Sequence, residues 1–205
     1  MTRLAFLIAR TLRQEAPLLA LSDDRDSLLA ELTGKHVALI GNARALAARS
    51  DGAAIDAADL VIRVNRAPMP APASHGTRTD WLALATSISA ADLARIGPDR
   101  ILWMSPKRKR LAWPVACTPG FYLHPLPDHQ RLRDRLGAPP TTGLMMIDLL
   151  VQSDLARLDL YGFDFFASLS LTGSRTASNV PHDFPAERAL VEAMAGRDPR
   201  LHLSL

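Results

Sequence analysis

Six short apolar runs recur along the chain, and helical patterns separate several of them. Each run has the length of a buried strand and is bounded by turn-forming residues. The predicted strands lie near residues 36–40, 59–64, 80–85, 100–104, 120–124 and 157–162. Because parallel strands need a crossover connection that is usually helical, this alternation is typical of an α/β protein. The sequence therefore predicts an α/β fold with a mostly parallel sheet flanked by helices.

The size of the chain fits one domain, since it has 205 residues of which 48% are hydrophobic. We expect residues 34–205 to form that domain and residues 1–33 to add an N-terminal helical segment. Residues 3–21 carry apolar side chains at partly helical spacing. Such a segment could lie on a membrane surface, but packing against its own domain is the commoner arrangement. A further short helix is predicted from Ser27 to Leu32, ended by Gly34.

Charge and cysteine content exclude several classes of protein. The net charge of +3 is small, and no basic-aromatic interleaving is present, so no nucleic-acid partner is predicted. A single cysteine, Cys117, allows no internal disulfide and fits a reducing compartment. The sequence shows neither an apolar stretch of about 20 residues nor a signal-peptide pattern. We predict a cytoplasmic protein, either free or in peripheral contact with the inner membrane.

Two asparagines follow the ends of two predicted strands. Asn42 comes directly after the first run and Gly41, and Asn65 ends the second run and precedes Arg66. The carboxyl ends of parallel strands form the open edge of such a sheet, where ligands bind. A side-chain amide carries donors and acceptors in one plane, which suits a nucleobase or a ribose. Either asparagine alone could simply cap a turn, but the pair favours a ligand site.

A helix N-terminus is predicted where Pro139 and Pro140 precede Thr141, Thr142 and Gly143. An apolar run follows these residues, as expected of a helix that packs on a sheet. Free N–H groups, the positive end of the helix dipole and two hydroxyls would together suit a phosphate. Taken alone, these residues are more often an ordinary N-cap.

The last helical pattern begins after His182, and Glu187 follows five residues later. Across the first helical turn, the carboxylate could orient the imidazole for proton transfer. Alternatively, His182 is a capping residue and Glu187 lies on a solvated face.

Two charged segments have weaker interpretations. The basic run at 107–110 could meet an anionic acceptor or a phospholipid headgroup, although a solvated loop is the ordinary explanation. Asp24 and Asp26 have the carboxylate-x-carboxylate form that holds a divalent metal in many sugar-nucleotide transferases. They precede the first strand and lie far from the strand ends, so no metal site is predicted there.

Three segments resemble, in the same order, the sialylmotifs of the animal-type sialyltransferases, glycosyltransferase family 29. The stretch 37–81 resembles the large sialylmotif, through Ile-Gly-Asn at 40–42, Ile-Asp at 55–56, Asp-Leu-Val-Ile-Arg-Val-Asn-Arg-Ala-Pro at 59–68 and Gly-Thr-Arg-Thr at 76–79. Pro-Thr-Thr-Gly at 140–143, through Leu-Tyr-Gly-Phe at 160–163, is similar to the small sialylmotif. The pattern His-x-x-x-x-Glu at 182–187 is similar to the very small motif.

This resemblance implies a Rossmann-like, variant glycosyltransferase-A fold that uses a cytidine monophosphate (CMP) sugar donor, with no metal and no other cofactor. Carried over by position, the two asparagines would contact CMP, and the threonine-glycine pair would lie by the donor's ribose or carboxylate. His182 would be the catalytic base. The predicted catalytic residues are His182 and Glu187, and the predicted substrate-binding residues are Asn42, Asn65, Arg66, Thr141, Thr142 and Gly143.

The chain departs from the family pattern at two places. The two motif cysteines are replaced, one by Val37 and the other by a non-cysteine near Ser153. The family's additional His-Tyr-type motif has no clear counterpart, because no histidine lies between Gly162 and His182. A group that helps to hold the donor phosphate would then be absent or replaced.

The predicted function is that of an inverting, metal-independent glycosyltransferase. It would transfer sialic acid or a related 2-keto sugar acid from a CMP donor to a hydroxyl of a glycan or lipid-linked glycan. The donor could equally be CMP-sialic acid or CMP-Kdo, where Kdo is 3-deoxy-manno-octulosonic acid. The alternative is a non-catalytic CMP-sugar-binding or assembly protein with a degenerate transferase fold.

Overall fold

The protein folds around one parallel sheet in the computed structural model, which describes residues 1–66, 68–165 and 181–204. Within these ranges the sheet has seven strands, and each neighbouring pair is parallel. The strands are β1 His36–Ile40, β2 Leu60–Val64, β3 Trp81–Leu84, β4 Arg100–Trp103, β5 Tyr122–Leu123, β6 Arg157–Tyr161 and β7 Leu201–Ser204, and their order in the sheet is β5-β4-β3-β2-β1-β6-β7. The predicted α/β fold with a mostly parallel sheet is confirmed.

Helices connect the strands and cover the sheet. In the described ranges they are α1 Arg3–Leu12, α2 Glu15–Leu19, α3 Arg25–Ala30, α4 Gly52–Asp56, α5 Pro72–His75, α6 Ala90–Ile96, α7 Trp113–Ala116, α8 Leu126–Leu136, α9 Thr142–Leu150 and α10 Phe184–Ala195. Two 3₁₀ turns span Arg44–Ala48 and Arg108–Arg110. None of the helices in these ranges has the length and apolar character needed to cross a bilayer.

The boundaries differ from the sequence predictions in a few places. Helix α3 begins at Arg25, two residues early, because the Asp24 carboxylate accepts the Ser27 N–H at 2.9 Å and caps the helix there. The N-terminal pattern at 3–21 is divided into two helices, because Arg13 adopts a left-handed conformation with φ of 56°. Strand β7 was not predicted.

Alternating side chains of the central strands supply two faces of the core. On β1, Leu39 packs in one cluster with Leu144 and Ile147 of α9, whereas Ala38 and Ile40 point to the other face. The period-two alternation of a strand explains this division, and helices on both sides explain why both faces are apolar.

The N-terminal helices contribute directly to the core beneath β3 and β4. Phe6 and Leu18 are fully buried in a cluster with Leu82 and Trp103. The Phe6 ring also lies 5.2 Å from the ring of Trp113, centroid to centroid. Residues 1–33 therefore share apolar packing with the strands that follow them.

Several residues of the stretch 37–81, which resembles the large sialylmotif, hold the turn that precedes β3. The Arg63 guanidinium is buried and donates to the backbone carbonyls of Arg78, at 2.8 Å, and His75, at 2.6 Å. The Asp56 carboxylate accepts backbone N–H groups from Thr77 and Arg78, at 2.9 and 3.1 Å. Burial lowers the pKa of Arg63 to about 10, so this side chain remains a cation at neutral pH. Arg63 and Asp56 therefore have a structural role, since they hold the backbone of this turn.

Candidate active site at the carboxyl edge of the sheet

A cavity of about 700 Å³ lies at the carboxyl edge of the sheet. Residues after β1, β2, β3, β4 and β6 line it, together with the N-terminal ends of α9 and α10. All eight residues predicted to form the site line this one cavity: Asn42, Asn65, Arg66, Thr141, Thr142, Gly143, His182 and Glu187. Parallel strands bring these loops to one edge, although more than a hundred residues separate some of them.

The two asparagines offer complementary hydrogen-bonding groups. Asn65 adopts a left-handed conformation with φ of 55°, and its Oδ1 accepts the Ala85 N–H at 3.1 Å. This contact leaves the Asn65 Nδ2 as a donor. The Nδ2 of Asn42 donates to the Val64 carbonyl at 3.4 Å, and its buried Oδ1 accepts no hydrogen bond from the described residues. The pair thus supplies one donor and one acceptor at adjacent strand ends.

Helix α9 turns its N-terminus toward the cavity. Thr141 is the N-cap, and its Oγ1 accepts the Leu144 N–H at 3.2 Å. Thr142 and Gly143 occupy the first turn, where N–H groups have no partner within the helix. A Cβ on Gly143 would lie 2.5 Å from Cε1 of Phe163, so glycine lets that ring pack against the first turn. The arrangement suits an anion, although an N-cap alone would look the same.

The imidazole of His182 is held by a backbone carbonyl. Its Nδ1 lies 2.7 Å from the carbonyl oxygen of Pro139. A carbonyl can only accept a hydrogen bond, so Nδ1 carries the proton and the neutral ring has its lone pair on Nε2. Among the described residues, none forms a hydrogen bond with Nε2. His182 precedes Asp183, whose side chain caps α10 by accepting the Ala186 N–H at 2.9 Å.

Glu187 contacts Thr141, and the expected contact with His182 is not formed. The Glu187 Oε1 accepts the Thr141 N–H at 2.6 Å, and Oε2 accepts the Thr141 hydroxyl at 2.7 Å. Burial is the main influence on this carboxyl, and it raises the pKa to about 7 against the opposing effect of the Thr141 donors. Glu187 is therefore not on a solvated face, and it does not contact the imidazole of His182. It fixes the loop that holds both the His182 partner and the N-cap of α9.

A second wall of the cavity was not identified from the sequence as part of the same site. Ser105, Lys107 and Arg110 come from the segment after β4, and His129 and Arg133 come from α8. His129 and Arg133 are one helical turn apart, which places them on the same face of α8. That spacing was the available signal, but the sequence does not show which face of α8 points to the cavity.

The carboxylate pair Asp24 and Asp26 lies at the N-terminal end of α3. Asp24 caps α3 through Ser27, far along the chain from the strand ends. Across the described ranges, no group of three or more His, Cys, Asp or Glu side chains is arranged to hold a metal ion. The stretch in which the family's additional His-Tyr-type motif would fall lies mostly at 166–180, outside the described residues.

Comparison with known proteins agrees with this architecture. The sequence model of glycosyltransferase family 29 (sialyltransferase) matches residues 9–112, which is half of the chain. Among curated proteins, no sequence is similar enough to count as a match.

Solved structures of sialyltransferases share the fold. A mammalian sialyltransferase in complex with Gal-β-1-3GalNAc-ortho-nitrophenol superposes with a TM-score of 0.61 at 16% identity, covering 91% of this chain and 83% of that one. The sialyltransferase CstII from Campylobacter jejuni, in complex with the substrate analogue CMP-3FNeuAc, gives a TM-score of 0.54 at 14% identity, covering 82% and 80%. At such identities the likeness establishes the fold.

Fold and sequence together assign the chain to the glycosyltransferases. Within that class it belongs to glycosyltransferase family 29, the sialyltransferase family.

Proposed function

We propose that the protein is an inverting glycosyltransferase that uses a CMP-activated 2-keto sugar acid, either sialic acid or a relative such as Kdo. The acceptor would be a hydroxyl of a glycan or lipid-linked glycan. One observation carries the proposal: the Pro139 carbonyl fixes the tautomer of His182, and the imidazole shares a cavity with the N-terminus of α9. A base and an anion-binding element thus lie in one site.

The donor would bind along the strand-end side of the cavity. The Asn65 amide and the first-turn N–H groups of α9 are hydrogen-bond donors suited to phosphate or carboxylate oxygens. The Asn42 Oδ1 is an acceptor suited to a base amine or a ribose hydroxyl. Family 29 membership supports this assignment of a nucleotide-activated sugar.

The proposed step needs one base and a stabilised leaving group. The acceptor oxygen attacks the anomeric carbon of the sugar acid while the bond from that carbon to the phosphate oxygen breaks. The acceptor proton moves to Nε2 of His182, and the bonding electrons leave with CMP, whose phosphate gains one negative charge. Positioned proton transfer of this kind typically contributes about 10²–10⁴-fold to a rate. Attack from the face opposite the phosphate gives inversion.

Replacement of His182 tests the base. His182→Ala should reduce sugar transfer by at least about 10²-fold, because the variant lacks the imidazole that takes the acceptor proton in the proposed step. CMP affinity, measured by calorimetry, should stay within about threefold of wild type. The matched control is His202→Ala, since His202 is exposed on β7 and does not line the cavity. Near-wild-type transfer by His182→Ala would remove this residue from the mechanism.

A donor comparison distinguishes the remaining alternatives. We expect slow CMP release from CMP-sialic acid or CMP-Kdo in the absence of acceptor, and the faster of the two identifies the donor. Tight CMP binding without release from either donor, across a broad acceptor screen, would instead indicate a non-catalytic CMP-sugar-binding or assembly protein.

We also propose a cytoplasmic location, with peripheral contact to the inner membrane where the acceptor is lipid-linked. The apolar side chains exposed on α1, namely Leu4, Ile8 and Leu12, support the peripheral contact. Cell fractionation with and without a salt wash would test it, and recovery from the soluble fraction alone would argue against it.

A further inference from the structure

The second wall of the cavity carries more positive charge than a CMP-sugar donor requires. Lys107 and Arg110 come from the segment after β4, and Arg133 comes from α8. None of these three cations forms an ion pair with a carboxylate in the described residues. The donor phosphate and carboxylate can be met by the N–H groups of α9, by Asn65 and by Arg66, which line the same cavity.

The basic segment is anchored rather than loosely solvated. Arg108 is 3% exposed and pairs with Glu15, with Nη2 at 2.5 Å from Oε1. It also donates to the carbonyls of Ser105 and His124, each at 2.7 Å. Because Arg108 is held at four acceptor atoms, its neighbours Lys107 and Arg110 are kept at the cavity wall. Only Arg108 departs from the interpretation of 107–110 as a solvated loop, since Lys107, Lys109 and Arg110 are exposed.

The residues on and around α8 determine the charge of the second wall. Burial, followed by the nearby charges of Arg133 and Arg108, lowers the pKa of His129. His129 is therefore a neutral hydrogen-bonding group beside Arg133. The nearby carboxylates of Asp128 and Asp148 are engaged by Arg131, and that of Glu15 by Arg108. Among the described residues, the carboxylates that line the cavity are Asp164, after β6, and Glu187, whose oxygens accept both hydrogen bonds from Thr141.

We propose that Lys107, Arg110, His129 and Arg133 bind an anionic group of the acceptor, so that the acceptor is an acidic saccharide bearing a carboxylate or a phosphate. The inference rests on the proposed function, and it adds the chemical class of the second substrate. The cavity volume of about 700 Å³ lies within the usual range of ligand sites.

Equilibrium binding to the CMP-loaded protein tests the inference. Calorimetry with lactose, sialyl-lactose and lactose phosphate should show at least about tenfold tighter binding of the charged sugars. Raising the ionic strength from about 0.05 to 0.5 M should remove most of that difference, because salt screens partly exposed charges. Equal affinity for neutral and charged sugars, or binding of none of them, would overturn the inference.

Matched variants localise the effect. Arg133→Gln should weaken binding of the charged sugars by about fivefold to tenfold, and the double variant with Arg110→Gln by more. The control is Arg135→Gln, which removes an equal charge from the same helix at a residue that does not line the cavity. An equal loss in Arg135→Gln would show a general charge effect and would contradict a site at Arg133.

A lipid headgroup is the competing source of the same anion. Vesicles of phosphatidylglycerol and phosphatidylcholine should not bind in a manner that depends on Arg133. Vesicle binding that is lost in Arg133→Gln, without discrimination between the sugars, would overturn the acceptor assignment in favour of a membrane. CMP release from the donor without acceptor reports the proposed function separately, so a failure of that function can be told apart from a failure here.

Discussion

Glu187 links two parts of the candidate site through a single buried carboxyl group. It accepts both hydrogen bonds that Thr141 donates, and the same loop supplies the Pro139 carbonyl that holds His182. The effect of this residue on transfer would therefore act through position, because its carboxylate contacts Thr141 and does not contact the imidazole. Because Glu187 is buried, the stability of the fold should depend on whether its carboxyl group is protonated.

The raised pKa of Glu187 predicts a specific dependence of stability on pH. From about pH 4.5 to 7 the folded state binds the proton more tightly than the unfolded state does, so this residue's contribution to stability falls as the pH rises. Urea unfolding of wild type and Glu187→Gln from about pH 5 to 8 should show the wild type losing on the order of 3 kcal/mol relative to the variant. Parallel profiles would contradict this, and Glu192→Gln, an exposed residue on the same helix, is the control.

The two strand-end amides should each contribute to nucleotide affinity. Asn42→Ala and Asn65→Gly should weaken CMP binding by about 5- to 150-fold, the cost of roughly 1–3 kcal/mol for a hydrogen bond lost in a buried site. Glycine is chosen at 65 because it keeps the left-handed backbone without strain. Calorimetry with CMP measures the effect, and Gln152→Ala is the control. Unchanged affinity in both variants would show that the amides do not contact the nucleotide.

At the scale of elements, the predicted strands agree with the structure because apolar runs between turn residues are a strong local signal. Strands β1 to β6 all fall within the predicted ranges. Strand β7 was missed because only Leu201 is buried in it, so its sequence pattern is barely distinguishable from that of a loop. The break at Arg13 was missed because a left-handed residue other than glycine or asparagine has no reliable sequence signature.

The site residues that were predicted depend on local sequence signals, and the contacts that were missed depend on tertiary packing. Strand-end loops and a helix N-terminus were predictable because their place in a parallel sheet follows from topology. The contact of Glu187 with Thr141 joins residues that are 46 positions apart and depends on how α10 packs on α9. Whether His129 and Arg133 face the cavity depends likewise on the rotation of α8 about its own axis, which sequence spacing does not determine.

The packing of α1 predicts that the N-terminal helices unfold together with the sheet. Phe6→Ala should lower the free energy of unfolding by about 3–5 kcal/mol, because Phe6 is fully buried against Trp113. Thermal unfolding should remain a single transition at a lower midpoint. Leu4→Ala on the same helix is the control, since Leu4 is 69% exposed and should change stability little. A separate early transition in wild type would indicate that residues 1–33 form an independent unit.

For the whole molecule, the distribution of charge explains how a phosphate could leave without a metal ion. The first-turn N–H groups of α9 and the side chain of Arg66 line the cavity, so they can stabilise the negative charge that develops on the phosphate. We expect an excess of EDTA to leave the rate of CMP release within about twofold of its untreated value. A large loss that Mg²⁺ or Mn²⁺ restores would contradict metal independence and would renew interest in Asp24 and Asp26.

The order of the strands also determines when the protein can become functional during folding. Strand β1 lies between β2 and β6 in the sheet, and its His36 is in register with Arg157 of β6, which is 121 positions later in the chain. Pairing of this kind closes a long loop, which costs entropy and slows folding. Strands β1 to β5 can associate earlier, yet α9 and α10 complete the cavity only with the later part of the chain. A nascent chain that ends after β5 would thus hold Asn42 and Asn65 at adjacent strand ends while the α9 and α10 parts of the cavity are still missing.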